Sequence, residues 1–375
     1  MQVVVLKTHL KEGLEITERA IGKSSSLPIL NNVLLSAKNE EVRLAATDLQ
    51  MGITYRFLGT TKEQGEVVFP GRFLISLLAV SSDNQVSLAT EGQNLLVSTG
   101  NHQATIKTLD EEEFPIIPTL EGNEPAWEVE TSVLCRGLHQ VVGMTGQTQT
   151  RPEISGVLFK IEKKTVCMVA TDSFRLAERK FLLEKEGVLE QSFILPSKTA
   201  RELIAILGER PGKTTIHVSP TQAVFDYESQ ENPLKLHIQI VSRLIEGEYP
   251  HYEDVIPSSQ KTRIVAPKGD FLNHLKAAGI FAGKTQEIRL RIDPSKKEIN
   301  FFSENMEAGS HRSILKGEIS GESVEVAFNW RFLGEGLLHM RGERIEFGMN
   351  GEDGPAIVRP LEQEGYLYVL MPIKA

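Results

Sequence analysis

Residues 42–48 read Val42-Arg43-Leu44-Ala45-Ala46-Thr47-Asp48, an apolar run that ends in a Thr-Asp pair. A close variant, VCMVATD, returns at residues 166–172, and a fainter one, EINFFSE, occupies residues 298–304. Short apolar and β-branched runs that end in turn-forming residues are typical of strands. Because the same strand and turn occur three times, the sequence predicts a chain built by duplication.

The spacing of other landmarks indicates that whole domains were duplicated. Three separate pairs share one offset of 124 positions, and they are Leu14 and Leu138, Pro28 and Pro152, and Thr47 and Thr171. A chain of 375 residues then divides into three repeats of roughly 125 residues, and each is long enough to bury its own core. We therefore predict three similar domains, at residues 1–121, 122–258 and 259–375.

Each repeat is predicted to contain two helices and several antiparallel strands. The first helices, near residues 8–21, 132–142 and 270–278, have apolar residues at steps of three and four. Thr8 is the expected N-cap of the first helix. The second helices begin near residues 70, 197 and 329, each with a turn or cap residue, and these are Pro70, Ser197 and Asn329. Short alternating segments between the helices are typical of strands, so the predicted fold class is α+β.

All three second helices have a cation in the first turn, and these cations are Arg72, Lys198 and Arg331. A positive charge there opposes the helix dipole by roughly 0.3–1 kcal/mol, so local stability favours an acidic residue. The repetition favours helix starts that face an anion such as a phosphate backbone. Three solvated cations are an equally good interpretation of this pattern alone.

Composition limits the classes of protein that fit. No apolar run approaches the roughly 20 residues that span a bilayer, and the first residues lack the pattern of an export signal. We therefore expect a cytoplasmic protein with no membrane partner. Cys135 and Cys167 lie in apolar patterns without metal-ligand spacing, which favours buried structural thiols. The net charge of −9 argues against a conventional nucleic-acid binder.

No arrangement of residues predicts catalysis, a cofactor or a metal. The stretches at residues 208–214 and 279–285 resemble phosphate loops, but three residues separate their glycines where such a loop needs four, and each follows a helix. Asp48 and Asp172 are better interpreted as turn caps than as catalytic acids. Neither a histidine pair at metal spacing nor a nucleophile elbow is present in the sequence.

Several motifs resemble one known family when their order and spacing are considered together. They are LPIL at residues 27–30, EFP at 113–115, ATDSFRLA at 170–177, EGEYP at 246–250 and MPI at 371–373. The chain resembles the bacterial sliding clamp, the β subunit of DNA polymerase III, from end to end. The resemblance implies a head-to-tail homodimer ring of six domains, with helices lining a central channel for duplex DNA and antiparallel sheets outside. The implied protein partners are the DNA polymerase III catalytic subunit, the clamp loader, other polymerases, ligase and mismatch-repair proteins.

Such a ring would account for the acidic net charge. Five of the six predicted helical segments have a net charge of +1 and the sixth is neutral, whereas the whole chain has −9. A weakly positive channel would contact phosphates without fixing a register, and an acidic exterior would discourage DNA from binding there.

The resemblance also implies a pocket for partner peptides between the second and third repeats. Its expected residues are Ile154, Thr171, Ser173, Phe174, Arg175, Leu176, Pro250, Asp254, Val255, Pro355, Val369, Leu370, Met371, Pro372 and Ile373. An apolar groove of this kind binds short linear peptides. Without the resemblance, the aliphatic members are better interpreted as ordinary core packing. Ser173-Phe174 replaces the Gly-His of many relatives, and Asp254 stands where a basic residue can occur.

Two further surfaces follow from the same resemblance. The subunit contact would join an edge strand with Ala104, Ile106 and Thr108 to a helix that bears Ile280 and Phe281. The expected DNA-facing residues are Lys23, Ser24, Arg72, Thr148, Gln149, Lys198, Arg201, Lys276 and Arg331. Two alternatives remain open at this point: an enzyme whose active site is assembled between repeats, and a peptide-binding scaffold that never encircles DNA.

Overall fold

The computed structural model describes residues 1–22, 27–118, 126–148, 150–185, 190–229 and 236–374. Contacts within the chain group into two compact units. The first unit comprises Met1–Cys135, Glu184–Leu189 and Arg201–Leu244, and the second comprises Arg136–Leu183, Glu190–Ala200 and Ile245–Ala375. The predicted domain boundary between residues 121 and 122 lies outside the described residues, and the three predicted ranges stay a prediction.

Helices occur in the described residues where the repeat pattern predicts them. They are α1 (Lys7–Thr17), α2 (Gly71–Val80), α3 (Thr131–Val141), α4 (Ser197–Leu207), α5 (Lys268–Ile280) and α6 (Trp330–His339). The α6 helix has the expected cap, because Asn329 Oδ1 accepts hydrogen bonds from the Arg331 and Phe332 N–H groups at 3.0 and 3.4 Å.

Strands form most of the remaining regular structure. Those before α3 are β1 (Gln2–Leu6), β2 (Val33–Lys38), β3 (Glu41–Thr47), β4 (Met51–Leu58), β5 (Thr60–Glu63), β6 (Gly65–Phe69), β7 (Gln85–Glu91), β8 (Asn94–Thr99), β9 (His102–Lys107) and β10 (Ala126–Glu130). Those between α3 and α5 are β11 (Gly156–Glu162), β12 (Thr165–Thr171), β13 (Arg175–Leu182), β14 (Gln191–Pro196), β15 (Lys213–Val218), β16 (Gln222–Glu228), β17 (His237–Arg243) and β18 (Thr262–Pro267). The last are β19 (Glu287–Asp293), β20 (Glu298–Asn305), β21 (Gly309–Lys316), β22 (Glu318–Gly321), β23 (Val324–Asn329), β24 (Arg344–Met349), β25 (Ala356–Pro360) and β26 (Tyr366–Leu370).

The start of α1 differs from the prediction that Thr8 is its N-cap. The cap position is Leu6, whose side chain makes no capping hydrogen bond. Leu6 is also the last residue of β1 and pairs with Gln85 of β7, and the next N–H, that of Lys7, donates to the Asn84 carbonyl at 2.8 Å. Strand pairing therefore fixes where the helix begins and overrides the local preference for a threonine cap.

The first unit contains two antiparallel sheets. Their strand orders are β5-β1-β7-β8-β9 and β10-β15-β16-β17-β4-β3-β2-β6. The α1 helix packs on β3 and β4 and buries Leu10 and Leu14 completely. A Cβ on Gly13 would lie 2.5 Å from Tyr55 Cδ1, so glycine is needed for this close approach of helix and sheet.

The second unit also contains two sheets, one of nine strands and one of four, against eight and five in the first unit. The strand orders are β14-β11-β12-β13-β26-β25-β24-β18-β22 and β21-β20-β19-β23, again antiparallel. The α5 and α6 helices pack together, and Phe271 of α5 contacts Phe301 and Phe347 edge-on. The predicted α+β class with antiparallel sheets is confirmed.

Two strand pairs join segments that are distant in the sequence. In the first unit β4 pairs with β17, and in the second unit β13 pairs with β26. Both β4 and β13 directly follow the Thr-Asp turns of the repeated motif. We call each of these two junctions, β4 with β17 and β13 with β26, a seam. Each Thr-Asp turn therefore lies at a seam, and ligand cavities commonly form at such junctions.

Candidate peptide-binding site

The turn that follows β12 is held by its own side chains. Thr171 Oγ1 donates to the Arg175 carbonyl at 2.7 Å and accepts from the Ser173 N–H at 3.1 Å. Asp172 Oδ1 accepts from the Phe174 and Arg175 N–H groups, each at 3.0 Å. This is the turn-capping role predicted for Asp172, and the corresponding contacts of Asp48 Oδ1 confirm the same role in the first repeat.

Ser173 adopts a backbone conformation that is unusual for its type. Its φ of 77° lies in the left-handed region, which costs a residue with a side chain about 1 kcal/mol or more. The Ser173 hydroxyl accepts a hydrogen bond from Arg151 Nη1 at 3.2 Å. The turn therefore directs the next side chain, Phe174, outward, where 63% of its surface is exposed.

Arg175 connects the turn to helix α6. Its side chain is only 9% exposed and pairs with Asp172 Oδ2 at 2.9 Å and with Glu335. The guanidinium also lies over the Phe332 ring, 4.3 Å from the centroid. Burial acts to lower the pKa of Arg175, but its neighbours, chiefly Tyr368, Glu335 and Asp172, outweigh burial and raise that pKa. The cation is thus a fixed part of the wall.

A cavity of about 210 Å³ opens beside this turn in the second unit. Its lining residues are Arg151, Thr171, Ser173, Phe174, Arg175, Leu176, Pro250, His251, Tyr252, Val255, Val369 and Met371. The apolar floor is part of a buried cluster to which Leu176, Tyr252 and Val369 belong. An apolar depression with a cationic wall suits a short peptide that has apolar anchors and an acidic or polar group.

A buried polar group supports the floor of this pocket from below. The Tyr252 hydroxyl donates to Glu178 Oε2 at 3.0 Å, and Lys180 pairs with the other carboxylate oxygen at 2.8 Å. Cys167 Sγ lies 3.6 Å from both partners, and burial raises the pKa of its thiol to about 12. The thiol is therefore protonated and unreactive, and the cluster fixes the short helical turn Tyr252–Val255.

The structure distributes the predicted pocket residues between the cavity and its surroundings. Those in the lining are Thr171, Ser173, Phe174, Arg175, Leu176, Pro250, Val255, Val369 and Met371. Ile154, Asp254, Pro355, Leu370, Pro372 and Ile373 are outside the lining, and Leu370 is fully buried next to Val369 on β26. Successive side chains of a strand point to opposite faces, so Val369 and Leu370 cannot both face the cavity.

Sequence reasoning missed three lining residues, and these are Arg151, His251 and Tyr252. Arg151 is brought in by its hydrogen bond to Ser173 and its ion pair with Glu153 at 3.1 Å. Nothing in the periodicity of the sequence marks this arginine. Tyr252 follows the recognised EGEYP motif by two residues, and an aromatic residue so close to Pro250 was the available signal.

The predicted DNA-facing residues are dispersed over both units. Lys23, Ser24 and Gln149 lie outside the described residues, and Thr148 Oγ1 is 2.8 Å from Thr150 Oγ1. Arg72, Lys198 and Arg331 are in the first turns of α2, α4 and α6, whereas Arg201 and Lys276 lie further along α4 and α5. Their role is a prediction that the structure of one chain leaves open.

The predicted subunit-contact residues lie at surfaces of their units. The β9 strand is an edge strand, as expected, and Ala104 and Ile106 are within it, while Thr108 follows its end. Ile106 is 7% exposed, so its side chain belongs to the core and the strand backbone is what remains available. Ile280 ends α5 with 75% of its surface exposed, and the neighbouring Phe281 stacks on His311.

No group of three His, Cys, Asp or Glu side chains among the described residues is arranged to hold a metal ion. No described helix is both long and apolar enough to cross a membrane.

Comparison with known proteins explains the threefold sequence repeat and the two strand pairs that join distant segments. Sequence models for the N-terminal, central and C-terminal domains of one family match residues 1–118, 128–251 and 253–374. The class is a three-domain subunit of a DNA polymerase. The chain belongs to the DNA polymerase III beta subunit family, and its fold is the three-domain clamp fold.

Individual relatives cover the chain completely. The beta sliding clamp of Synechococcus elongatus is 28% identical over 100% of this chain and 99% of its own length, and that of Bacillus subtilis is 24% identical over 100% of both. The solved Thermotoga maritima beta subunit has a TM-score of 0.90 at 26% identity, covering 100% of this chain and 99% of its own. A Pseudomonas aeruginosa sliding clamp solved with bound griselimycin has a TM-score of 0.92 at 23% identity, with full coverage of both chains.

Proposed function

We propose that this chain is a sliding clamp, a non-catalytic processivity factor that encircles duplex DNA as a head-to-tail homodimer ring. The observation that carries the proposal is membership in the beta subunit family over almost the whole chain. The role requires neither a cofactor nor a catalytic residue. The proposed location is the cytoplasm, where it would tether the replicative polymerase to DNA.

The test of encirclement compares circular with linear DNA. The protein is loaded on nicked circular plasmid by a clamp loader and ATP, and retention is measured by gel filtration before and after the circle is cut. A threaded ring slides off the cut DNA, whereas a surface-bound scaffold stays in proportion to its affinity. Equal retention on both forms would reject the clamp. The other alternative, an enzyme assembled between repeats, predicts turnover by the purified chain with nucleotides and metals.

The proposed subunit contact is tested with a matched pair of exposed apolar residues. Ile280 at the end of α5 and Leu182 at the end of β13 are each 75% exposed. Ile280→Asp places a charge in the proposed interface and is expected to weaken dimerisation at least tenfold, about 1.4 kcal/mol. Leu182→Asp, in the central repeat, changes the surface equally but should leave the sedimentation-derived dimer constant unchanged.

The pocket of the second unit is proposed to bind linear peptides of the DNA polymerase III catalytic subunit, the clamp loader, other polymerases, ligase and mismatch-repair proteins. Its apolar floor and cationic wall support this role. Griselimycin, the ligand of the Pseudomonas relative, is a suitable first probe. Phe174→Ala should weaken binding of labelled griselimycin at least tenfold, and Phe73→Ala, which removes another exposed phenylalanine, should not.

The nine DNA-facing residues named from the sequence are proposed contacts to the phosphate backbone. Arg331→Gln, at the start of α6, is expected to reduce the salt dependence of DNA binding by about one phosphate contact without changing sequence preference. An unchanged salt slope for this variant would remove Arg331 from the proposed channel surface.

A further inference from the structure

The first unit contains a second cavity, built on the first copy of the repeated turn. Its volume is about 100 Å³, against about 210 Å³ for the pocket of the second unit. The lining is mainly apolar and includes Leu49, Met51, Ile116, Ile117 and Val241. All of these residues belong to the first unit.

The turn beside this cavity has the same hydrogen bonds as the turn at Thr171–Arg175. Thr47 Oγ1 donates to the Met51 carbonyl at 2.9 Å and accepts from the Leu49 N–H at 3.0 Å. Asp48 Oδ1 accepts from the Gln50 and Met51 N–H groups at 3.0 and 2.7 Å. Leu49 has a φ of 71°, close to the 77° of its counterpart Ser173. The backbone that shapes the proposed peptide pocket is thus present twice.

The strand pairing that forms the floor is duplicated as well. Gly52 of β4 is opposite Val241 of β17, in the same register that places Leu176 of β13 opposite Val369 of β26. Gly52 provides no side chain, and a Cβ there would lie 2.8 Å from Ile117 Cγ2. Ile117 therefore takes the space that Leu176 takes in the other pocket, and the smaller cavity that remains suits a single side chain.

The rim of this cavity offers contacts that the first unit itself does not use. Ile116, between two prolines, is 93% exposed, and Leu49 beside the same cavity is 43% exposed. Within the described residues, neither the Ile116 nor the Ile117 N–H donates a backbone hydrogen bond. Arg243 is exposed and is the one charged residue in the lining, which contains no acidic side chain.

We propose that this cavity is a second docking site, which binds a linear peptide segment with one aliphatic side chain followed by a carboxylate. The aliphatic group would insert between Leu49 and Ile116, and the carboxylate would pair with Arg243, whose charge is otherwise unmatched in the lining. The Ile116 and Ile117 N–H groups would donate to the peptide backbone. The inference goes beyond the proposed function, which assigns partner binding to the second unit alone.

The two native cysteines are both buried, so a single accessible thiol can be placed at this cavity for disulfide tethering. In full-length Gln222→Cys, the thiol at the rim undergoes thiol–disulfide exchange with three acetylated peptide amides, Cys-Gly-Leu-Asp, Cys-Gly-Leu-Lys and Cys-Gly-Ser-Asp. Each peptide is supplied as its mixed disulfide with cysteamine in a buffer that contains free cysteamine, so cysteamine thiol leaves as the protein–peptide disulfide forms and the exchange reaches equilibrium. Intact mass spectrometry measures the fraction tethered. We expect the Leu-Asp peptide to exceed each of the others about tenfold.

Second substitutions test whether residues at the rim of the cavity cause the preference for the Leu-Asp peptide. In the Gln222→Cys background, Arg243→Gln should abolish the preference for Asp over Lys, and Ile116→Ser should abolish the preference for Leu over Ser. Leu49→Ser provides the same apolar test by another residue if Ile116→Ser fails to fold, as judged by circular dichroism. Equal tethering of all three peptides would overturn the proposal. It would also be overturned if Ile116→Ser lowers the sedimenting mass, since a second copy would then cover the cavity.

Failure of this site and failure of the clamp function give different results. Retention on nicked circles and griselimycin binding depend on the ring and on the second-unit pocket, and neither uses the thiol at position 222. Selective tethering without DNA retention would preserve this inference and reject the clamp. DNA retention with unselective tethering would preserve the clamp and reject this inference.

Discussion

The ion pair between Asp172 and Arg175 should be measurable as a coupling energy, because the first repeat shows how the same turn is built without it. Met51 stands where Arg175 stands, and the Thr-Asp turn keeps its hydrogen bonds. Arg175→Met therefore imitates a side chain that this backbone already accommodates. Asp172→Asn keeps an oxygen that accepts the two N–H groups, and it replaces the charged oxygen that faces the guanidinium with an amide NH2 group, which cannot accept its hydrogen bond.

The expected magnitudes follow from burial and geometry. Asp172→Asn leaves a guanidinium that is 9% exposed with Glu335 as its remaining acidic partner, and loss of a charged hydrogen bond costs about 2 kcal/mol. Arg175→Met loses the contact with the Phe332 ring but also a desolvated charge, so its net cost is about 1 kcal/mol. Without the Arg175 cation the Asp172 carboxylate has no ion pair, so removing its charge should add little further destabilisation. The double variant should therefore also cost about 1 kcal/mol. The coupling energy is then about 2 kcal/mol.

Urea unfolding followed by tryptophan fluorescence can measure this cycle in the unit concerned. Trp330 is on α6, next to the Phe332 that contacts Arg175, and Trp127→Phe removes the other tryptophan of the chain. That background is mild, because the buried Trp127 indole N–H has no hydrogen-bond partner among the described residues. Free energies come from linear extrapolation at constant slope. A coupling energy below about 0.5 kcal/mol would refute the reasoning that the pair is a desolvated unit.

The remaining predictions use other local features of the chain. Lys163 has a φ of 51° in the hairpin between β11 and β12, so Lys163→Gly should stabilise the fold by about 0.5–1 kcal/mol, whereas Lys164→Gly, at ordinary φ, should destabilise it by a similar amount in the same urea assay. Burial, together with the neighbouring His139, lowers the pKa of His339. The unfolded chain then binds that proton more readily, so stability is present above the ordinary histidine pKa of about 6.5 and falls as the pH drops below it. His339→Phe should flatten the stability profile below about pH 6.5 in the same urea assay. Finally, burial raises the pKa of both cysteine thiols to about 12, so a thiol reagent should label neither in native protein and both in urea.

The sequence predicted the parts of the fold that depend on local pattern and repetition. Helix spacing, the Asn329 cap and the capping role of Asp48 and Asp172 follow from residue types that act on their own neighbours. The start of α1 could not be predicted in this way. It depends on the pairing of Leu6 with Gln85, which is a contact between residues far apart in the sequence.

The same distinction applies to the candidate site. The turn Thr171–Arg175 and the Pro250 motif are contiguous patterns, and the lining contains both. Arg151 and Tyr252 enter the cavity only through tertiary hydrogen bonds, to Ser173 and to Glu178. Leu370 was expected in the lining from the family resemblance, but the alternation of a strand directs it to the face opposite Val369.

The two turns have the same Thr and Asp hydrogen bonds but different side chains beside the cavity. Thr and Asp are kept in both copies because their side chains hold the backbone, and that backbone includes a left-handed residue that would otherwise be strained. The side chains at the next positions can differ, because only the backbone groups of those residues take part in the hydrogen bonds that hold both turns. Ser173, Phe174 and Arg175 therefore make an open, cationic wall in one seam, whereas Leu49, Gln50 and Met51 make a smaller apolar one in the other. A duplicated fold can thus offer two cavities that are built on one turn but differ in size, and their ligands should be distinguished by the size and number of their apolar anchors more than by charge or backbone geometry.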